Sequence, residues 1–185
     1  MTDPAESSDP TGIIGIHGNF KTQQIHVKLA KQITDKDKNI RLSKTAKFLI
    51  KMRNSIHPDF MGAETNNNGV EIIKKLKRLG ISLHGISTSA NLTDETRAKG
   101  LSMDKPYMID WFKKQKIKHN ILFSSEPSED MQECIDQISE ISEISTPGGK
   151  TSHKRLRGRH DDLFMALLLC CHVFLVLCQQ WEELQ

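Results

Sequence analysis

Two adjacent carboxylates at the head of a long apolar run constrain this chain more than any other feature. Asp161 and Asp162 stand directly before Leu163, and the stretch from Leu163 to Leu177 is apolar except for His172. A run of that length is too long for an ordinary strand and is predicted to form a buried helix over about residues 160–180. It falls short of the ~18–20 consecutive apolar residues of a membrane span, so no membrane partner is expected. The acids suit the start of such a helix. Asp161 can serve as its N-cap, and Asp162 suits the positive end of the helix dipole. The same two carboxylates could instead be oxygen ligands for a cation.

The chain has 185 residues, which predicts one domain over 1–185 with a true core. Its formal charge of +3 permits a nucleic-acid partner without arguing for one. The polar N-terminus does not have the pattern of a secretion signal, so the protein is not expected to be secreted. Cys134, Cys170, Cys171 and Cys178 form no Cys-x-x-Cys pair and read as reduced, buried thiols.

Along the chain, Thr11 to Gly18 and Gln23 to Leu29 flank a Gly-Asn turn and predict an antiparallel pair of strands. Ser43 is the expected cap of a helix running to about Ser55, stopped by Pro58. Phe60 to Ala63 is a short apolar run ending at Glu64, followed by an Asn-rich turn. Val70 to Leu79 has helical spacing and Gly80 closes it. A strand is expected over Ile81 to Ile86, a polar loop over Ser87 to Met103, and a helix from Pro106 to about Lys116. A further strand, Asn120 to Phe123, precedes an amphipathic helix from Ser128 to Ile144 with Met131, Cys134, Ile135, Ile138 and Ile141 on one face. A Pro-Gly loop and a basic segment lead into the last helix. Helices alternating with strands predict an α/β domain with a mixed sheet.

Three acidic places are candidates for chemistry: Asp3 before a polar loop, Glu64 at a strand end, and Asp161 with Asp162 at a helix start. Carboxylates from such places can meet at one sheet edge, and oxygen ligands suit Mg²⁺ or Mn²⁺. Two such ions roughly 4 Å apart can activate water and steady a leaving oxygen in phosphodiester cleavage. Read singly, each acid has a plainer role as a cap, a turn residue or a solvated terminal charge.

Taken together they resemble a known family. Arg159-His160-Asp161-Asp162-Leu163, followed by Ala166-Leu167, resembles the C-terminal nuclease motif of viral terminase large subunits of the phage and herpesvirus type. Phe60 to Asn66 with Gly69 resembles the second motif of that family, a strand ending in an acid followed by Asn and Gly. Thr2-Asp3-Pro4-Ala5 resembles the first, although only Met1 and Thr2 stand before Asp3, so the preceding strand would be very short. The motifs occur in the family's order across nearly the whole chain.

The resemblance implies an RNase H-like mixed sheet with helices on both faces. It implies a two-metal endonuclease, using Mg²⁺ or Mn²⁺, that cuts concatemeric viral DNA during packaging. Asp3, Glu64, Asp161 and Asp162 would hold the metals, with His160 and Lys105 as accessory candidates. Double-stranded DNA, the terminase ATPase domain, the small subunit and the portal are the implied partners. The place of action would be inside the infected cell: the nucleus for a eukaryotic virus, the cytoplasm for a phage. Gly148-Gly149-Lys150-Thr151 mimics the tail of a Walker A loop, but Ile144 stands where its first Gly is needed and no strand leads in, so ATP binding is not expected.

Lys150, Lys154, Arg155, Arg157 and Arg159 form an acid-free basic segment that leads into the acidic pair. It reads either as a solvated loop or as a contact to the DNA backbone. Two rival functions remain: an RNase H-like recombinase, resolvase or transposase core, and a non-catalytic DNA-binding or assembly module.

Overall fold

A computed structural model describes residues 10–65, 68–89, 102–145, 151–155 and 161–183. It divides into two compact units. The first spans Ile33–Met103 together with Met1–Thr11, and the second Gly12–Gln32 together with Asp104–Gln185. The described elements are an α/β mixture of eight strands and five helices.

In the first unit, α1 (Lys38–Ile56) starts at Asp37, not at Ser43 as the sequence led us to expect. The Asp37 carboxylate accepts from the backbone N–H of Asn39 at 2.7 Å and of Ile40 at 3.2 Å. Arg41 can be buried one turn into this helix because its guanidinium donates to the Asp35 carbonyl at 2.6 Å. Those partners turn a polar stretch into helix. His57 ends it in the left-handed region at φ 45, and Pro58 cannot continue it.

The strands β3 (Gly62–Glu64) and β4 (His84–Ser89) pair in parallel, with Gly62 opposite His84 and Glu64 opposite Ile86. Between them lies α2 (Asn68–Arg78). Its last turn closes at Gly80, where φ is 74, and the Ile81 N–H donates back to the Leu76 carbonyl at 3.0 Å. Ile81 and Leu83 therefore pack as core residues of the connection, and pairing begins only at His84, three residues later than expected. Ala46, Ile72 and Leu76 complete that core. The third strand, β5 (Ser102–Asp104), emerges from a segment that reads as loop. Its Met103 is fully buried, and the Ser87 and Ser102 hydroxyls lie 2.8 Å apart.

In the second unit, β1 (Thr11–Asn19) and β2 (Gln24–Ile33) are neighbours joined by a four-residue turn, a connection that permits only an antiparallel pair. β6 (Ile121–Leu122) adds to β2 in parallel, Ile25 opposite Ile121. α3 (Lys105–Ile117) begins where Asp104 caps it, accepting from the Tyr107 N–H at 3.1 Å, with proline in the first turn. α4 (Glu129–Glu140) is capped by Ser128 and tied to β2 by Lys31–Asp130 at 2.7 Å.

The expected helix to Ile144 stops at Glu140. The residues Ile141–Ser145 form β7, which pairs antiparallel with β8 (Thr151–Arg155) out of the basic segment. Ile141 and Ile144 satisfy helical spacing, but Ile-Ser-Glu-Ile-Ser is also rich in β-branched residues, and the available partner strand decides.

The last helix, α5 (Asp162–Glu183), is about 33 Å long. By length and composition it is apolar enough to cross a membrane. In this fold nine of its residues, among them Leu163, Phe164, Leu167 and Phe174, are buried within the chain. Phe112 of α3 meets Phe164 edge-on, centroids 5.4 Å apart, which fixes the start of α5 against α3. Burial pushes the Cys134 thiol up to about 12, as expected for an inert thiol.

Phe112→Ala removes this contact from a side chain that is 1% exposed. It should lower stability by about 3–5 kcal/mol, read as a shift in the urea midpoint at unchanged slope.

Candidate functional site

Glu64 is the last residue of β3, at the end where the chain turns toward α2. Its backbone is fixed by pairing with Ile86, and the next residue, Thr65, donates its N–H to the Ile86 carbonyl at 2.8 Å. The Thr88 hydroxyl donates to the Glu64 carboxylate, which sets the orientation of that side chain. Gly69 explains the glycine five residues on. A Cβ there would lie 1.5 Å from the Glu64 carbonyl oxygen, so the first turn of α2 can close over Glu64 only without a side chain.

Asp161 occupies the N-cap position of α5. Its carbonyl accepts the first intrahelical bond, from the Met165 N–H at 2.8 Å. Its carboxylate makes an ion pair with the Lys105 ammonium, 3.3 Å away, with about a third of each side chain exposed (31% and 33%). At that exposure the pair is worth no more than about 1 kcal/mol, so it is weak enough to exchange partners. Lys105 is the first residue of α3, and its position follows from the Asp104 cap and the Phe112–Phe164 contact two turns further on. Asp162 is half-buried in the first turn, where a negative charge complements the helix dipole.

The head of α5 is held by two features that sequence reasoning missed. Gln137, on α4 and 0% exposed, accepts the Phe164 N–H at 2.9 Å. It belongs to the buried face of α4 with Met131 and Cys134, whereas Ile135 and Ile138, assigned to that face from the sequence, are only half-buried. Its one signal was a polar residue three positions after Cys134 on an apolar face. The second feature is Gly12, where a Cβ would come within 2.3 Å of the Asp162 carbonyl oxygen. Strand β1 therefore lies directly against the first peptide units of α5.

The structure thus brings Lys105 and Asp161 together and places Asp162 beside them. Glu64 belongs to the first unit. Lys154 and Arg155 lie on β8, opposite Ser142 and Ile141. Asp3, His160, Lys150, Arg157 and Arg159 lie outside the described residues. Among the described residues no three His, Cys, Asp or Glu side chains are grouped closely enough to hold a metal ion. The donors nonetheless fit one: they are carboxylate oxygens, hard ligands of the kind Mg²⁺ and Mn²⁺ take, and the Asp161 carboxylate already accommodates a cation in the Lys105 ammonium.

Gly69→Ala should force the Glu64 carbonyl and α2 apart and cost about 1–3 kcal/mol, measurable by thermal or urea denaturation.

No protein-family model matches the chain, and neither does any curated protein sequence. Solved structures do. The large terminase nuclease from thermophilic phage G20c with bound cobalt is 14% identical, with a TM-score of 0.59 over 88% of this chain and 81% of that one. The same nuclease with bound magnesium is 14% identical, with a TM-score of 0.58 over the same shares. The large terminase nuclease domain of Thermus phage P74-26 is 12% identical, with a TM-score of 0.56 over 89% and 78%. This chain has the RNase H-like fold of the large-terminase nuclease domains.

Proposed function

We propose that this protein is a metal-dependent DNA endonuclease of the large-terminase type, cutting concatemeric viral DNA during genome packaging inside the infected cell. The observation that carries the reading is the acidic pair at the head of α5, with a cation held on Asp161, in a chain with the fold of terminase nucleases. Glu64, Asp161 and Asp162, with Asp3, are the residues that would hold Mg²⁺ or Mn²⁺, two ions in the full site. Bound divalent ions supply an activated water and charge stabilisation of the leaving oxygen. G20c nuclease structures with bound cobalt and magnesium support a divalent cofactor.

The chain's own groups divide the remaining work. Thr88 orients the Glu64 carboxylate. Lys105, at the head of α3 beside Asp161, would present its ammonium to a phosphate oxygen of bound DNA. The hairpin of β7 and β8 carries Lys154 and Arg155, and in the sequence Lys150, Arg157, Arg159 and His160 belong to the same basic stretch, which would lie along the DNA backbone. Contacts of this kind bind the duplex backbone without reading sequence. The ATPase domain of the terminase, its small subunit and the portal would be the protein partners.

Plasmid nicking tests the proposal. Wild-type protein should nick supercoiled DNA with Mn²⁺ and lose activity with chelator. Glu64→Gln, Asp161→Asn and Asp162→Asn should each lose about 100-fold or more, equivalent to about 2.7 kcal/mol of barrier, with unchanged circular dichroism. Robust cutting by all three variants would sink the assignment. A preference for branched over linear duplex would instead favour a resolvase, and DNA binding without Mn²⁺ binding a non-catalytic module.

A further inference from the structure

We infer that Gln137 is a positioning residue for this acid site: it caps α5 in place of Asp161 and so keeps the Asp161 carboxylate on Lys105 and open to a divalent cation. The inference rests on the reading of Asp161 as a metal ligand and goes beyond it to a residue that touches no substrate.

The first backbone N–H groups of a helix have no partner within the helix. An aspartate at the N-cap ordinarily supplies one, its carboxylate turning inward to accept from the second or third helical N–H. Asp161 is at that position, since its carbonyl accepts from the Met165 N–H. The third helical residue is Phe164, and its N–H is already taken by the Gln137 side-chain oxygen at 2.9 Å. Among the described residues, the side-chain partner of the Asp161 carboxylate is Lys105, across the helix interface and 56 residues away in sequence.

The geometry of the amide is determined at both ends. Gln137 Nε2 donates to Glu133 Oε1 at 3.2 Å, one turn earlier on α4, which leaves Oε1 facing the Phe164 N–H. Burying an amide completely is unfavourable unless its bonds are made, and here both ends have partners. A neutral acceptor in this place satisfies the helix end without consuming a charge. The carboxylate therefore stays at the positive end of the helix yet is not folded into the turn. A serine or an aspartate capping from the N-cap position itself would satisfy the same N–H but could not leave an acid available there.

The test combines stability without metal and metal binding. Asp161→Ala alone, with the amide cap intact, should leave the urea midpoint near that of wild type. A fall of the size seen when a helix cap is removed would overturn the inference, whether or not any Gln137 variant folds. Gln137→Met keeps length and burial but removes the acceptor, so Asp161 should turn inward to cap. In that background Asp161→Ala should be markedly more destabilising than in wild type, and equal effects in the two backgrounds would overturn the inference. Titration calorimetry with MnCl₂ is the second readout: Gln137→Met should bind Mn²⁺ about tenfold more weakly, equivalent to about 1.4 kcal/mol. Unchanged Mn²⁺ affinity would overturn the positioning role. Because the urea cycle needs no metal, the two readings fail separately. A wild-type protein that binds no Mn²⁺ but shows the coupling overturns the nuclease reading and upholds the transfer of the cap.

Discussion

The hydrogen bond from the Phe164 N–H to Gln137 is the contact on which the placement of the head of α5 depends. It lies where three things must agree: the start of α5, the packing of α4 against it, and the direction of an acid. α5 contributes the driving force. Leu163, Phe164, Leu167 and Leu168 are each 2% exposed or less, and full burial of such side chains is worth about 1.5–3 kcal/mol apiece. Hydrophobic burial has no direction, however, and would tolerate a slide or rotation of the helix. The buried amide, the Phe112 ring against Phe164, and Gly12 beneath the Asp162 carbonyl remove that freedom. The carboxylates at the helix start inherit a fixed place from groups that carry no charge.

Glu64 is placed by the same economy in the first unit. A three-residue strand could fray, but its pairing to Ile86, the bond from Thr88 and the glycine at position 69 each limit it. In both units the acid is carried on the last residue of a strand or the first of a helix, where backbone hydrogen bonds fix the main chain and leave the side chain at the margin of the core. Such positions suit ligands for hard cations, because oxygen donors need orientation more than they need enclosure.

Much of this was legible in local sequence. The helix beginning at the Asp161–Asp162 pair, the end of α2 at Gly80, the start of α3 near Pro106, and the strand ending in Glu64 follow from capping, periodicity and steric rules that act over a few residues. The rest was not legible. The start of α1 at Asp37 depends on the buried Arg41 finding the Asp35 carbonyl, and β7 depends on a partner strand further along the chain. The polar segment before Met103 yields a strand because pairing and a fully buried methionine outweigh weak β propensity.

The sequence by itself determined which acids are available and on which elements they sit, because caps and hydrophobic periodicity are local properties. It offered two roles for Asp161, the cap that local rules favour and the ligand that the resemblance implies. Only the tertiary structure shows what meets this helix end, since the acceptor of the Phe164 N–H, Gln137, is 27 residues away and the cation on the Asp161 carboxylate, Lys105, is 56. No local rule reaches that far, and the choice between capping a helix and holding a cation is made by which side chains the fold brings to the same helix end.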